Sequence, residues 1–287
     1  MTTPIAYRKM NGTGNEILVV DLRGRQDELD PEAVRAIAAD PATTFDQLMA
    51  IRSPQRPGTD ANVLIFNRDG SRAGTCGNGA RCVAAVLMEE TGRDATSFDV
   101  NAGPVEAKRL PGSDRIAVDM GMPRFRWDEV PIARPVENTS AVDADFTVAG
   151  APALSRPSVL SMGNPHVVFF VDDADAYDLA TIGPAIENHP LFPDRVNVSI
   201  AEVTGPDRIK LRVWERGAGA TLACGSAACA TAVAAARTGR TGRKVLLTVP
   251  GGELEVEWRE ADGHVILSGP WELESVGELR LPLTEAA

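Results

Sequence analysis

The 287-residue chain has few of the features that mark secreted or membrane-spanning proteins. Its first segment, MTTPIAYRKMNG (1–12), lacks the basic-then-apolar profile of a signal peptide. The longest apolar run, AACATAVAAA (227–236), is far short of the ~20 residues that cross a bilayer. Only four cysteines are present, which argues against a disulfide framework and predicts reduced thiols. We therefore expect a cytoplasmic protein with no membrane partner.

Positive charge is also scarce. The chain carries 29 lysines and arginines against 40 aspartates and glutamates, giving a formal net charge of −11. Without a basic field that could release counterions from a phosphate backbone, sequence-independent nucleic-acid binding is not expected. The hydrophobic fraction of 44% is enough to bury a core in each of two domains. These properties favour a globular protein whose partner is a small molecule.

Two cysteine-glycine motifs stand 148 residues apart, in GTCGNGARC (74–82) and LACGSAACA (222–230). The stretches before them align at the same offset, IFNRDGSRAGTCG over VWERGAGATLACG. Further back, GTGNEILVVD resembles SMGNPHVVFFVD, and FDQL aligns with RVNV, with offsets of 149 and 150 residues. The offset between matching residues changes by only two residues over most of the chain, which predicts an internal duplication.

Each half shows the same order of predicted elements. A strand and a Gly-Asn turn precede a helix (30–40 or 175–188), and further strands lead to a helix that begins at the Cys-Gly motif. That helix ends near a glycine, Gly92 or Gly239, which suits a C-cap. A hairpin follows in each half, at 96–110 and 244–258. Many strands with few helices predict an α+β (mixed α/β) fold rather than a doubly wound one.

The predicted domains follow from the repeat and from one proline-rich segment. Residues 120–140 are proline-rich and poorly patterned, so we expect the joint between the halves there. Residues 276–283 look like one more strand, which could return to the first domain. The sequence therefore predicts an amino-terminal domain of residues 1–122, completed by 273–287, and a carboxy-terminal domain of residues 123–272.

The Cys-Gly motifs predict paired helix N-termini. Two related domains docked about a pseudo-two-fold axis would bring the motifs to face each other across a cleft. The backbone N–H groups of Gly77 and Asn78, and those of Gly225 and Ser226, would then point at an anion between two positive helix ends. The same field favours a thiolate over a thiol.

A thiol on each side of one carbon predicts inversion of a stereocentre. A base removes a proton from one face, and an acid returns a proton to the other. Because the α-hydrogen of an amino acid is barely acidic, the site must stabilise charge that develops on the carboxylate. Cys76 and Cys224 are the candidate catalytic residues for this chemistry.

The remaining cysteines and histidines carry less information. Cys82 and Cys229 lie six and five residues into their helices, turned away from Cys76 and Cys224, and are predicted to be packing residues. Their spacing also lacks the C-x₂₋₄-C pattern of a structural zinc site, so no metal is expected. His189 and His264 are predicted to lie at the surface, whereas His166 belongs to a repeated motif.

Two other function classes remain open on the residues alone. A cysteine-histidine acyltransferase or hydrolase could use Cys76 as its nucleophile, although it would leave the second motif unexplained. A non-catalytic amino-acid-binding protein would tolerate loss of either thiol. The sequence permits a homodimer and does not decide the oligomeric state.

Eight motifs together resemble the diaminopimelate epimerase family across nearly the whole chain. They are KMNGTGNE, FDQL, FNRDGS, CGNGARC, MGNPH, RVN, ERGAGAT and ACGSAACA. The resemblance implies a pair of α/β domains, each a mixed sheet around a central helix, with the active site in the interdomain cleft. It also implies cofactor-independent interconversion of LL- and meso-diaminopimelate, for lysine and peptidoglycan precursors, with Cys76 and Cys224 as the acid and base.

By the same resemblance, several polar residues would line the substrate site. These are Asn15, Gln47, Asn67, Asn164, Asn197, Glu215 and Arg216. His166 and Glu215 would also help to set thiol protonation. Proline-type racemases and phenazine-biosynthesis-like isomerases resemble this architecture as well, but a cyclic monocarboxylate needs no clamp for a second charged end, which Arg216 could provide.

Overall fold

The computed structural model describes residues 4–26 and 28–280, and it has the mixed α/β fold that the sequence predicts. The chain divides into two compact units. The first unit contains the chain up to Val118 and from Gly269 onward, and the second contains Asp119–Ser268. No helix in the described ranges is long and apolar enough to cross a membrane.

The first unit is a mixed sheet with two helices. Its strands up to residue 119 are β1 (Ile5–Gly12), β2 (Asn15–Asp21), β3 (Gln47–Arg52), β4 (Ala61–Asn67), β5 (Arg72–Ala73), β6 (Ala95–Val100), β7 (Gly103–Arg109) and β8 (Ile116–Asp119). Its helices are α1 (Pro31–Ala39) and α2 (Gly77–Thr91). Asp30 caps α1 by accepting a hydrogen bond from the Ala33 amide, and proline occupies the first helical position.

The second unit has a small two-stranded hairpin and one larger sheet. The hairpin consists of β9 (Asp145–Phe146) and β10 (Leu154–Ser155). The sheet contains β11 (Ser158–Ser161), β12 (Pro165–Val171), β13 (Asn197–Gly205), β14 (Arg208–Glu215), β15 (Gly219–Thr221), β16 (Lys244–Val249), β17 (Gly252–Trp258) and β18 (Val265–Gly269). Its helices are α3 (Leu179–Glu187) and α4 (Gly225–Arg237).

Strand pairing in the two sheets follows one pattern. In the first unit β1–β2 is antiparallel, β2–β3 parallel, β3–β4 antiparallel and β4–β6 parallel, and β6–β7–β8 form a meander. In the second unit β11–β12, β12–β13, β13–β14, β14–β16 and β16–β17–β18 repeat these directions in the same order. The internal duplication predicted from the sequence is therefore present in the backbone.

Each sheet packs around the helix that begins at a Cys-Gly motif. α2 contacts β1, β2, β3, β6 and β7, and α4 contacts β11, β12, β13, β16 and β17. Most residues of both helices are buried, and alanine and glycine make up five of the 15 residues of α2 and eight of the 13 residues of α4. Small side chains on all faces allow a helix to be enclosed by strands on several sides. α1 and α3 pack on other parts of their sheets, within separate apolar clusters.

The end of the described chain returns to the first unit. β19 (Glu272–Leu279) pairs antiparallel with β1, with Ile5 opposite Leu279 and Asn11 opposite Glu272. The strand predicted at 276–283 thus begins earlier in the chain, and residues 281–283 lie outside the described residues.

The proline-rich segment at 120–140 belongs to the second unit rather than forming a separate joint. Val130 and Ile132 are buried in the cluster that contains α3. Arg124 forms an isolated bridge with Ser161, the last residue of β11. Apolar residues spaced through an irregular segment therefore hold it against this unit, although its sequence has no period.

Candidate active site

Cys76 is the N-cap residue of α2. Its backbone is extended (φ −152°, ψ 108°), and its Sγ accepts a hydrogen bond from the Gly79 amide at 3.1 Å. The thiol is only half-buried. A methyl group on Gly79 would lie 2.7 Å from Met49 Sδ, so glycine lets the first turn of α2 approach β3 closely. The sulfur thus lies at the N-terminus of α2, where the helix dipole favours a negative charge.

A buried arginine stabilises the turn around Cys76, and sequence reasoning did not identify it. Arg81 is fully buried, and its Nη2 donates to Thr13 Oγ1 at 2.8 Å and to Asn78 Oδ1 at 3.0 Å. Its Nε donates to the Pro270 carbonyl at 3.2 Å. The predicted binding residue Asn78 is itself buried, so its side chain holds α2 to the β1–β2 turn, and its backbone N–H remains the candidate group for a ligand.

The other predicted residues of this unit lie at strand ends. Asn15 begins β2, after a turn in which Thr13 and Gly14 have φ angles of 61° and 81°. Gln47 and Asn67 are directly opposite each other on β3 and β4, and Gln47 Nε2 donates to Asn67 Oδ1 at 3.2 Å. The buried Oδ1 atom of Asn15 has no hydrogen-bond partner. A buried acceptor without a donor is a candidate ligand contact.

Cys224 occupies the matching N-cap of α4 in a different environment. Its backbone is also extended (φ −124°, ψ 112°), but no cap hydrogen bond to its side chain is formed. The thiol is buried, and Sγ lies 3.5 Å from Ser226 Oγ. Burial raises the pKa of the Cys224 thiol well above its usual value, and the charge of Glu215 raises it further. This environment favours the protonated form of the Cys224 thiol.

A chain of hydrogen bonds leads from His166 to Cys224. His166 Nε2 lies 2.9 Å from Asn164 Oδ1, and Asn164 Nδ2 donates to Ser226 Oγ at 3.4 Å. Because an amide oxygen only accepts, His166 must carry its proton on Nε2. Burial, with the nearby charge of Arg216, lowers the pKa of His166 to about 3, so the ring is neutral. Ser226 accepts from Asn164 and can direct its own proton to the Cys224 sulfur.

The charged residues of this unit lie where β14 ends, beside the start of β13. Asn197, which is buried, accepts a hydrogen bond from the Arg216 amide at 3.0 Å and donates to the Pro165 carbonyl at 2.9 Å. Arg216 Nη1 donates to the Asp194 carbonyl at 2.9 Å. Glu215 Oε1 accepts from Thr221 Oγ1 at 2.6 Å. Glu215 is thus held close enough to Cys224 to act on its protonation.

We call Cys76, Gly77, Asn78, Asn15, Gln47 and Asn67 the Cys76 half-site. The Cys224 half-site comprises Cys224, Gly225, Ser226, Asn164, His166, Asn197, Glu215 and Arg216. In the latter, hydrogen bonds connect Cys224 to Ser226, Asn164 and His166. In the former, Gln47 contacts Asn67, and Gly77 and Asn78 form the first turn of α2.

The packing role predicted for the second cysteine of each motif is confirmed. Cys82 and Cys229 are both fully buried, and burial raises the pKa of Cys82 to about 12. His189 and His264, predicted to lie at the surface, are both half-buried, and the His264 side chain is 37% exposed. His189 packs against Phe146 with ring centroids 4.8 Å apart, and His264 Nδ1 lies 2.8 Å from Asp119 Oδ1. Both histidines thus have partners that are distant in sequence. Among residues 4–26 and 28–280, no group of three acidic, cysteine or histidine side chains could hold a metal.

Known proteins resemble the chain along most of its length. Curated diaminopimelate epimerases from Rhizobium meliloti and Brucella melitensis are each 53% identical to it over 278 residues, which is 96% of this chain and 92% and 91% of the relatives. A predicted epimerase from Pseudomonas aeruginosa shares the fold, with a TM-score of 0.67 at 19% identity over 96% of this chain and 99% of that one. A phenazine biosynthesis family protein from Enterococcus faecalis superposes with a TM-score of 0.65 at 16% identity, covering 97% and 100%.

The family model described as diaminopimelate epimerase matches residues 7–126 and 158–273, which include both half-sites in full. That match and the 53% identity distinguish this chain from the phenazine biosynthesis family protein, whose likeness at 16% identity shows the fold alone. The chain is an isomerase and belongs to the diaminopimelate epimerase family.

Proposed function

We propose that the chain interconverts LL- and meso-diaminopimelate by a two-base reaction in which Cys76 and Cys224 exchange the roles of base and acid. One thiolate removes the α-proton, and the other thiol supplies a proton to the opposite face of the carbon. The observation that carries this proposal is the duplicated N-cap: each unit places one thiol at the start of its central helix. A single nucleophile would not need the second copy.

The helix N-termini supply the stabilisation that the carbanion needs. The backbone N–H groups of Gly77, Asn78, Gly225 and Ser226 belong to first turns, where four N–H groups lack helical partners. They can bind the substrate carboxylate and the charge that develops on it when the α-proton leaves. No electron-withdrawing cofactor is required in this scheme, and the protein's own dipoles take that role.

The remaining residues of the half-sites suit a substrate with two charged ends. Asn15, Gln47 and Asn67 offer neutral donors and acceptors, which can bind an ammonium or a carboxylate without adding charge. Arg216 uses Nη1 for the Asp194 carbonyl, so further donors of its guanidinium can bind a distal carboxylate. Asn164, Asn197 and Glu215 complete the proposed set, with Glu215 as the acceptor for an ammonium.

A hydrolase that used Cys224 as its nucleophile is disfavoured by the state of His166, the histidine of the same half-site. His166 donates its Nε2 proton to Asn164 rather than contacting Cys224. With a pKa of about 3, its unprotonated Nδ1 is too weak a base to activate a thiol at neutral pH. His166 instead orients Asn164, and through it Ser226.

Exchange of the substrate α-hydrogen with solvent tests the proposal directly. We expect the purified protein in D₂O to incorporate deuterium at the α-carbon of LL- and of meso-diaminopimelate, without pyridoxal phosphate and in the presence of a chelator. The Cys76→Ala and Cys224→Ala variants should each lose epimerisation by roughly 10³-fold or more. Absence of deuterium in the wild-type reaction, or loss of activity with chelator, would contradict the two-base scheme.

Mild oxidation offers a second test, because both sulfurs must reach one carbon. A dithiol oxidant such as diamide should join Cys76 to Cys224 and inactivate the protein reversibly, with two thiols losing two electrons and two protons. Peptide mapping that finds another pairing would argue against a shared substrate.

We further propose a cytoplasmic protein without nucleic-acid or membrane partners, consistent with its net charge of −11. Sedimentation would show whether it forms a homodimer.

A further inference from the structure

We propose that Glu187 is a positioning residue that fixes the turn at residues 214–217 and thereby sets the affinity of the Cys224 half-site for substrate. This inference rests on the proposed function. Glu187 is the last residue of α3, in a segment that the sequence marks only as helical. Its side chain touches neither thiol in the described contacts, so its role would be exerted through its neighbours.

Three donors converge on this buried carboxylate. Oε2 accepts a hydrogen bond from Trp214 Nε1 at 2.7 Å. Oε1 accepts one from the Gly217 amide at 2.9 Å and one from Arg195 Nη1 at 3.1 Å. Only 5% of Glu187 is exposed, so its carboxylate is largely shielded from water, which strengthens its charge-assisted bonds to Trp214 and Gly217. The side chain of the third donor, Arg195, is 53% exposed.

Two of the donors bracket the residues proposed to bind substrate. Trp214 precedes and Gly217 follows Glu215 and Arg216, so the carboxylate holds both ends of this pair. The third donor, Arg195, lies two residues before Asn197, whose Oδ1 accepts from the Arg216 amide. One carboxylate therefore connects the two chain segments that carry the charged part of the Cys224 half-site.

The packing around Glu187 indicates that its position is fixed. A methyl group on Gly183, one helical turn earlier, would lie 2.3 Å from Trp214 Cδ2, so α3 rests directly on the indole ring. Gly217 has a φ of 77°, which favours glycine and shapes the turn that presents its amide. These close contacts restrict the Glu187 carboxylate to its position beside the three donors.

Helix stability alone does not account for a glutamate at this position. The C-terminus of a helix carries a partial negative charge, and a carboxylate there is unfavourable, whereas a basic residue is favoured. The last turn of α3 contains no basic residue. The interactions that favour Glu187 come from outside its own helix, from the 214–217 turn and Arg195.

The corresponding turn of the first unit is held differently. There Arg35 Nη1, on α1, donates to the Asp69 carbonyl at 3.0 Å, and Asn67 Nδ2 donates to Ser71 Oγ at 3.0 Å. These bonds are exposed and involve no buried carboxylate. The buried anchor belongs to the turn that carries Glu215 and Arg216.

Substitutions of Glu187 with a matched control test this inference. Glu187→Gln keeps the shape but places an amide NH₂ against donors, and Glu187→Asp keeps the charge but cannot reach all three partners. We expect both to raise the KM for diaminopimelate roughly tenfold or more, with a smaller change in kcat. Glu202→Gln is the control, because that carboxylate of the same unit accepts from the Ala174 amide and lies 3.8 Å from Lys210, away from the turn.

Two further readouts separate positioning from folding and from the proposed function. Hydrogen exchange should show faster loss of protection at the Gly217 amide in Glu187→Gln, while β12 amides stay as in the wild type. If Glu187→Gln does not fold, Glu187→Asp and Trp214→Phe decide the question. A wild-type KM in the folded variants, with normal protection at Gly217, overturns the inference. If the wild-type protein does not exchange the α-hydrogen of diaminopimelate with solvent, the proposed function fails. The amide protection at Gly217 would still show whether Glu187 fixes the 214–217 turn.

Discussion

The two half-sites start from one duplicated motif and give their thiols different environments. Cys76 is half-buried, and a backbone amide donates to its sulfur. Cys224 is buried and lies near the Glu215 carboxylate, and its sulfur is in contact with the hydroxyl of Ser226. The side-chain contact arises from serine at 226, where the first half has Asn78, because the Ser226 hydroxyl lies near the sulfur while the Asn78 side chain is bonded to Arg81.

This difference shows how a duplicated fold can give two copies of one motif unequal environments. A two-base reaction needs one thiolate and one thiol at the start of each turnover, so two identical environments would leave the pair in the wrong state part of the time. Burial and Glu215 favour the protonated form of Cys224. The neutral Ser226 donor counteracts that bias only in part.

The strongest test of this comparison changes the charge near Cys224. Glu215→Gln should lower the pKa of the Cys224 thiol, so alkylation of Cys224 by iodoacetamide should begin at a pH lower by roughly one unit. Ser226→Ala removes a donor to the sulfur and should shift the same profile upward. Mass spectrometry of the Cys76 peptide provides the internal control. Equal profiles in the wild type and both variants would show that neither neighbour acts on the thiol.

A second prediction concerns the neutral histidine. The folded protein binds a proton at His166 only near pH 3, whereas the unfolded chain binds it near pH 6.5. The stability that this histidine contributes is therefore present above pH 6.5 and is lost as the pH falls toward 3, at up to about 1.4 kcal/mol per pH unit. His166→Gln should show a shallower fall in unfolding free energy between pH 6 and 4. Parallel curves for the two proteins would contradict a buried neutral ring.

The smallest effects are expected at the second cysteine of each motif. Cys82→Ala and Cys229→Ala leave small cavities in α2 and α4, so each should lower the free energy of unfolding by about 1 kcal/mol. Because neither thiol belongs to the proposed half-sites, kcat/KM should stay within about twofold of the wild type. Denaturant unfolding and steady-state rates measure the two quantities. A large loss of activity in either variant would show that the cysteine has a role in the reaction and is not only a packing residue.

Much of the fold could be predicted because its signals are local. The Cys-Gly helix starts, the Gly92 C-cap, the Asp30 N-cap and the two hairpins each depend on residues within a few positions of one another. The repeat then transferred each assignment from one half to the other. Gly239, predicted to end α4, lies one residue beyond the observed C-cap Thr238 and has the expected left-handed φ of 66°.

The features that the sequence did not predict depend on contacts between distant residues. Arg81 and Glu187 look like ordinary helical polar residues until the β1–β2 turn and the 214–217 turn are placed beside them. The contacts of His189 with Phe146 and of His264 with Asp119 likewise join residues that are far apart in the sequence. The residues next to a charged residue in a helix do not reveal whether its side chain is buried against a distant segment or exposed to solvent.

The pairing of β19 with β1 also has a consequence for the order in which the protein folds. β1 precedes and β19 follows the whole second unit in sequence, so the first unit cannot complete the pairing of these strands until the second unit has been synthesised. The second unit, Asp119–Ser268, is continuous in sequence and has all its strands available earlier. We expect the carboxy-terminal unit to reach its native state first during synthesis, the reverse of the usual vectorial order.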